Sequence, residues 1–207
     1  MQRTTRLALI IFHYQRFYVT LVYVKQITKT HMEEPSINYD LTFRNFSQKI
    51  KDMRVGSIKR TGIKKIAKPV LLLALIKGIE DGVFKHNCFG YEELASIYET
   101  VFKKYADISK QTEYTPLNYP FFHLRTSDFW NLCLKNSHSD RIATTASIGW
   151  IRNNVEYAYI DPMLWDMLQQ KAYRNRLAEF IVEEKIKTAT ARSRSILKVF
   201  LNWLVAI

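Results

Sequence analysis

Apolar residues recur along most of this chain at helical spacing. Phe43, Phe46, Ile50 and Met53 repeat at intervals of three and four, which predicts an amphipathic helix over 43–53 with one face turned inward. Residues 64–81 hold a denser run. The stretch Val70-Leu-Leu-Leu-Ala-Leu-Ile76 is apolar on nearly every side, so it predicts a buried central helix. Pro69 suits its first turn and Gly82 its stop, and the run is too short to span a membrane. A third helix is expected over 91–105, where Leu94, Ile97, Tyr98, Val101 and Phe102 share a side. Lys103, Lys104 and Lys110 crowd its negative end. Further on, Asp161-Pro162 offers a capping carboxylate and a first-turn proline. Leu164, Trp165 and Leu168 then face inward, and a helix over 173–186 comes next with Leu177, Phe180 and Ile181 as its stripe. A short helix is expected over 140–149.

Alternation at period two is confined to a few places. Phe122 and Leu124, then Trp130 and Leu132, suit two half-buried strands, with Thr126-Ser127-Asp128 as the turn between them. Such a hairpin turns His123 and Arg125 to the face opposite the buried rings, where they can meet a partner. Short strands are also expected at Val83-Phe84 and 155–160. The resulting fold class is mainly α with a small β-hairpin or sheet, in one compact domain over 32–187; a winged-helix-like arrangement would fit. Residues 56–62 form a basic loop and 109–118 a polar one. No repeat or glycine-rich linker divides the chain.

Composition narrows the class of partner. In 207 residues, 47% hydrophobic content supports a folded core. Thirty-one Lys and Arg against 19 Asp and Glu leave a net charge of +12, which favours a polyanion or an anionic membrane surface. The excess is concentrated. Arg44, Lys49, Lys51, Arg54, Lys59, Arg60, Lys64, Lys65 and Lys68 face the single acid Asp52 within 44–68. Side chains of this kind make phosphate contacts, which supply much of the affinity for DNA; the bland alternative is a solvated basic face. Arg60, Lys64, Lys65 and Lys68 are the strongest candidates, and the helix entry at Lys68-Pro69 offers free amides to a phosphate.

The ends stand apart. Residues 1–31 carry Arg3, Arg6, Arg16, Lys25 and Lys29 and no Asp or Glu. Residues 7–24 are apolar enough to suggest a membrane or signal segment, but Gln15 and Arg16 interrupt them and no small-x-small cleavage site comes after. Met32 opens the ordinary segment Met-Glu-Glu-Pro-Ser, so 1–31 read best as an extension ahead of the true start. Residues 188–207 read either as a last amphipathic helix or as the truncated end of a longer protein.

No catalytic constellation is visible. His13, His31, His86, His123 and His138 are scattered, and none pairs with a second His at metal-ligand spacing. Cys88 and Cys133 lack metal spacing, and free buried thiols are the plainer reading of them, although a disulfide between them stays open. A phosphate-binding glycine loop and a nucleophile elbow are both missing. No cofactor or metal is expected. The chemistry points instead to recognition. Arg125 can pair bidentately with a phosphate or a guanine edge. Tyr119 and Trp130 could stack on a partner or fill the core, core being the better reading for Trp130.

Two linked motifs carry a family resemblance. Lys68-Pro-Val-Leu-Leu-Leu-Ala-Leu-Ile76 enters a Leu-rich helix, and Tyr119-Pro-Phe-Phe-His-Leu-Arg125 comes later with Phe129-Trp130 behind it. Together they resemble the module found N-terminal to HNH nuclease domains in modification-dependent restriction enzymes. That family includes the DNA sulfur-binding domains, which recognise phosphorothioated DNA. The resemblance covers roughly residues 50 to 187 and implies a DNA-recognition domain contacting duplex DNA through Arg60, Lys64, Lys65, Lys68, Tyr119, His123 and Arg125. The nuclease part of the family has no counterpart in this chain. Ala67 stands where many members carry His, a departure that counts against sulfur recognition in particular and leaves general DNA binding intact. Two other readings compete: the N-terminal remnant of an HNH endonuclease, and a basic membrane-associated protein anchored by 7–24.

Overall fold

The helix Ala67–Glu80 is the element around which the others pack. Eleven of its 14 residues are buried, and only Lys68, Lys77 and Glu80 escape, as expected for a segment apolar on all sides. Pro69 lies in the first turn, where its missing N–H has no intrahelical partner to lose. The helix stops at Gly82, whose φ of +71° an L side chain would resist. The computed structural model describes residues 38–111, 113–135 and 146–189. The expected features at 1–31, including the apolar stretch 7–24, and the start at Met32 lie outside these residues, as do 190–207.

Helix α1 (Tyr39–Asp52) lays Phe43, Phe46 and Ile50 against the core; the central helix is α2 (Ala67–Glu80). Helix α3 (Tyr91–Ser109) runs four residues past the expected end and buries Leu94, Tyr98, Val101 and Phe102. A short α4 (Asn118–His123) continues into a 3-10 turn, Leu124–Thr126. Strand β1 (Trp130–Leu134), helix α5 (Ile148–Asn154), strand β2 (Val155–Ile160), α6 (Pro162–Gln169) and α7 (Lys171–Ile181) come next, and α7 runs on into a wider π-helical stretch, Val182–Lys187. Among the described residues the architecture is mainly helical with one small antiparallel sheet, and those from Tyr39 onward cluster as one unit. Asp161 caps α6 through its carboxylate, which accepts from the amides of Met163 and Leu164.

The expected hairpin around Phe122 does not form. β1 pairs with β2, Trp130 opposite Ile160 and Cys133 opposite Tyr157, and Phe122 and Leu124 belong to the helical turns before it. The reason lies in spacing that the period-two reading passed over. Leu117, Phe121 and Leu124 repeat at i, i+4 and i+7, all three are buried, and Pro120 sits in the first turn where a helix tolerates it. Val83-Phe84 likewise form no strand. Phe89 instead bridges Ala158, and the Asn87 amide extends the sheet by both donating to and accepting from the Ile160 backbone, at 2.7 and 2.9 Å. Most of the helix expected over 140–149 falls in 136–145, outside the described residues, and α5 overlaps only its last two positions. Cys88 and Cys133 are free thiols, but Cys88 is exposed rather than buried.

Trp130 anchors the sheet to the helices. It is wholly buried, donates its indole N–H to the Phe121 carbonyl at 2.9 Å, and lies against Phe89 and Phe121. A buried indole nitrogen without a partner would be costly, and this bond fixes the ring's orientation. Gly78 serves packing rather than conformation. A Cβ there would stand 2.3 Å from Phe84 Cε2, so the glycine leaves room for that ring against α2.

Candidate nucleic-acid interface

The segment after α1 folds back on itself. Ile58 donates to the Ile63 carbonyl at 2.8 Å and Ser57 bridges Lys64, closing a turn in which Gly62 adopts φ +69°. This brings Arg54 and Lys65 beside the first turn of α2, where no side chain caps the helix and Lys68 is half-buried. The loop 111–117 and helix α4 stand opposite.

Between these walls lies an open cavity of about 670 Å³. Arg54, Lys65, Ala67 and Lys68 line it on one side, and Glu113, Tyr114, Pro116, Tyr119, Pro120 and His123 on the other. Among the described residues Glu113 is the only carboxylate in the lining. Gln111 is the buried hub behind it. Its side-chain oxygen accepts from the Ile66 amide at 2.9 Å, and its NH2 donates to the Glu113 carbonyl at 2.9 Å and to Thr115 Oγ1 at 3.2 Å. Tyr98 adds a second tether, donating its hydroxyl to the Thr115 carbonyl at 2.9 Å. The loop is therefore tied both to the start of α2 and to α3.

The charges inside are tuned by their surroundings. Burial, then the neighbouring cations Lys68 and Arg125, holds His123 below its ordinary value of 6.5. Burial also lowers Lys68 from the ordinary lysine value. Cations crowded in this way gain from an incoming anion, which relieves their mutual repulsion.

Of the residues singled out from sequence, Lys65, Lys68, Tyr119 and His123 meet in this cavity. Tyr119 is 51% exposed, whereas Trp130 is core. Lys64 lines an adjoining cavity of about 710 Å³ with Lys51 and Lys185, and the two cavities share Arg54 and Val55. Within it Lys185 donates to the Lys51 carbonyl at 2.6 Å and so closes the end of α1. Arg60 is exposed on the turn and lines neither cavity. Arg125 does not line the cavity either; its guanidinium lies 4.0 Å from the Phe122 ring centre, a packing role for its planar head. The residues that sequence reasoning missed are in the loop: Gln111, Glu113, Tyr114, Thr115 and Pro116. A Tyr and a Pro inside an otherwise polar loop were the available signal. Among the described residues no cluster of three or more His, Cys, Asp or Glu could hold a metal ion, and no helix is long and apolar enough to cross a membrane.

No family model matches the chain, and neither does any curated protein. Among solved structures the chain is similar to the sulfur-binding domain of SprMcrA complexed with phosphorothioated DNA. Identity is 12% and the TM-score 0.51, over 73% of this chain and 93% of that one. The likeness is one of fold.

Proposed function

We propose that this chain is a DNA-binding recognition domain that takes duplex DNA by its backbone. Lys65, Lys68 and His123 are the contacts inside the cavity, with Arg60 and Lys64 on its flank, Tyr119 at its edge and Arg125 behind His123. One observation carries the reading: residues far apart in sequence meet in a single cationic cavity at the start of α2. A helix start of this kind suits an anion, because its free amides and its dipole both favour negative charge. The fold shared with a domain described on phosphorothioated DNA supports the same partner class.

A finer reading concerns the phosphate itself. Ala67, Pro116 and Pro120 line the same cavity as Lys68 and His123. A phosphorothioate keeps the charge of a phosphate while replacing one oxygen by a less well hydrated sulfur. It therefore suits a site that pairs cations with apolar walls. Ala67 stands where many members of the resembled family carry His, so a sulfur preference here rests on these apolar walls rather than on that side chain. Such a domain would serve as the specificity element of a restriction-type HNH endonuclease system.

The test is fluorescence anisotropy with unmodified, methylated and phosphorothioated duplexes of one sequence at two salt concentrations. Saturable binding that weakens steeply with salt is expected, tightest for the phosphorothioate. Absence of saturable binding to every duplex at about 50 mM salt would remove the DNA reading. Equal affinity for all three would remove only the sulfur preference.

A further inference from the structure

The cavity is larger than a phosphate needs. At about 670 Å³ it falls in the size class of sites that enclose whole small molecules. Its lining also divides by chain segment. Residues 54–68 supply the cations Arg54, Lys65 and Lys68, whereas residues 113–120 supply rings and a carboxylate. A phosphate has use for the first set alone.

The second set has the character of a base site. Tyr114 and Tyr119 are 48% and 51% exposed, although aromatic rings of that size usually gain from burial. Tyr114 is nonetheless held in place: its ring packs edge-on against Phe102 with centroids 5.0 Å apart, and lies 6.3 Å from Tyr98. An ordered ring with half its surface open is a stacking platform for a base. Glu113 points the same way. A carboxylate in a cationic cavity repels a phosphate, but it accepts well from the exocyclic amino group of a base such as cytosine. Its backbone carbonyl is fixed by Gln111, which positions the residue from behind.

We propose that the cavity takes a whole nucleotide turned out of the duplex. Its phosphate lies on Lys68 and His123, its base lies against Tyr114 and Tyr119, and Glu113 accepts from the base's amino group. The inference rests on the DNA-binding reading and specifies how deeply the cavity engages the strand. Amino-bearing bases are favoured over thymine, and a position whose pairing is already weakened binds best, because less stacking must be undone.

The experiment uses the full chain and duplexes carrying one central 2-aminopurine, paired with thymine or mismatched with cytosine. Anisotropy reports binding and 2-aminopurine fluorescence reports unstacking. The mismatched duplex should bind about tenfold tighter than the paired one, with a severalfold rise in fluorescence. Tyr114→Ala and Tyr119→Ala should each shrink the mismatch preference and leave the salt slope intact. Lys68→Ala should do the reverse. Glu113→Gln should reduce the preference for cytosine over thymine at a mismatched site. Parent-like melting of each variant assigns these changes to the site rather than to unfolding. Equal affinity for paired and mismatched duplexes with unchanged fluorescence would overturn the nucleotide pocket and leave DNA binding standing. Free dCMP that displaces the duplex at comparable concentration would also overturn it, since the site would then select a free nucleotide. No binding to any duplex would instead remove the reading on which it rests.

Discussion

Replacing Gln111 with Leu tests how the cavity is held together. The side chain is 1% exposed and satisfies three groups at once: the Ile66 amide, the Glu113 carbonyl and Thr115 Oγ1. Leu keeps much of the volume and removes every polar contact. The Ile66 amide suffers most, because Ile66 is wholly buried and water cannot replace the lost acceptor. A buried donor left unpaired costs about 1–3 kcal/mol. Glu113 is exposed, so its carbonyl can turn to water and adds at most about 1 kcal/mol. The expected total is about 1–4 kcal/mol, read as a lower urea midpoint with an unchanged m-value. Because the loop keeps its second tether from Tyr98 to the Thr115 carbonyl, Gln111→Leu and Tyr98→Phe together should cost more than their sum. DNA affinity should fall with the loop's order even where the variant stays folded. A cost below about 0.5 kcal/mol, with the two changes additive, would refute the claim that Gln111 fastens the loop to α2.

Other perturbations address single residues. Arg125→Ala should lower the melting temperature by a few degrees through loss of its stacking on Phe122, about 1 kcal/mol for a partly buried pair; a melt like the parent's would make Arg125 a contact residue only. Because burial and neighbouring cations depress His123, the unfolded chain binds the extra proton more readily. His123 therefore contributes stability that is present above its ordinary 6.5 and lost as pH falls below it. A bound anion reverses that preference, so DNA affinity should rise as pH drops through the same window, and His123→Asn should flatten the rise in an anisotropy titration. Gly78→Ala should destabilise by about 1–3 kcal/mol in urea melts, since the Phe84 contact outweighs the helix propensity gained.

The helical frame was legible because burial and periodicity coincide in it. In α1 the residues that repeat at three and four are the ones that pack, α2 is apolar and buried on nearly every side, and Asp161-Pro162 opens α6 as a cap should. The Phe122 region misled for a physical reason. A six-residue helix offers too few turns for its period to stand out, so Phe122 and Leu124 match a strand by coincidence of spacing, whereas Trp130 and Leu132 do form one. What settles the matter is tertiary: Trp130 pairs with Ile160, a strand partner 30 positions away. The site was half legible. Cations announce themselves by charge, so Lys65 and Lys68 could be named, and the aromatic run drew notice to Tyr119 and His123. The loop before that run could not be named, because what makes Gln111 and Tyr114 matter is a fastening to Ile66 and Tyr98 across the fold. Arg125 shows the converse. Its charge suggested a free contact, and its surroundings give it a packing partner.

The central claim is that the cavity's cations hold a nucleic-acid phosphate, and the salt dependence of duplex binding tests it most directly. Log affinity against log salt should be linear for the parent. Lys65→Ala/Lys68→Ala should retain the fold and bind more weakly to every duplex, with a slope shallower by about two units, as expected when two phosphate contacts are lost. A double variant with the parent's affinity and the parent's slope would contradict the account.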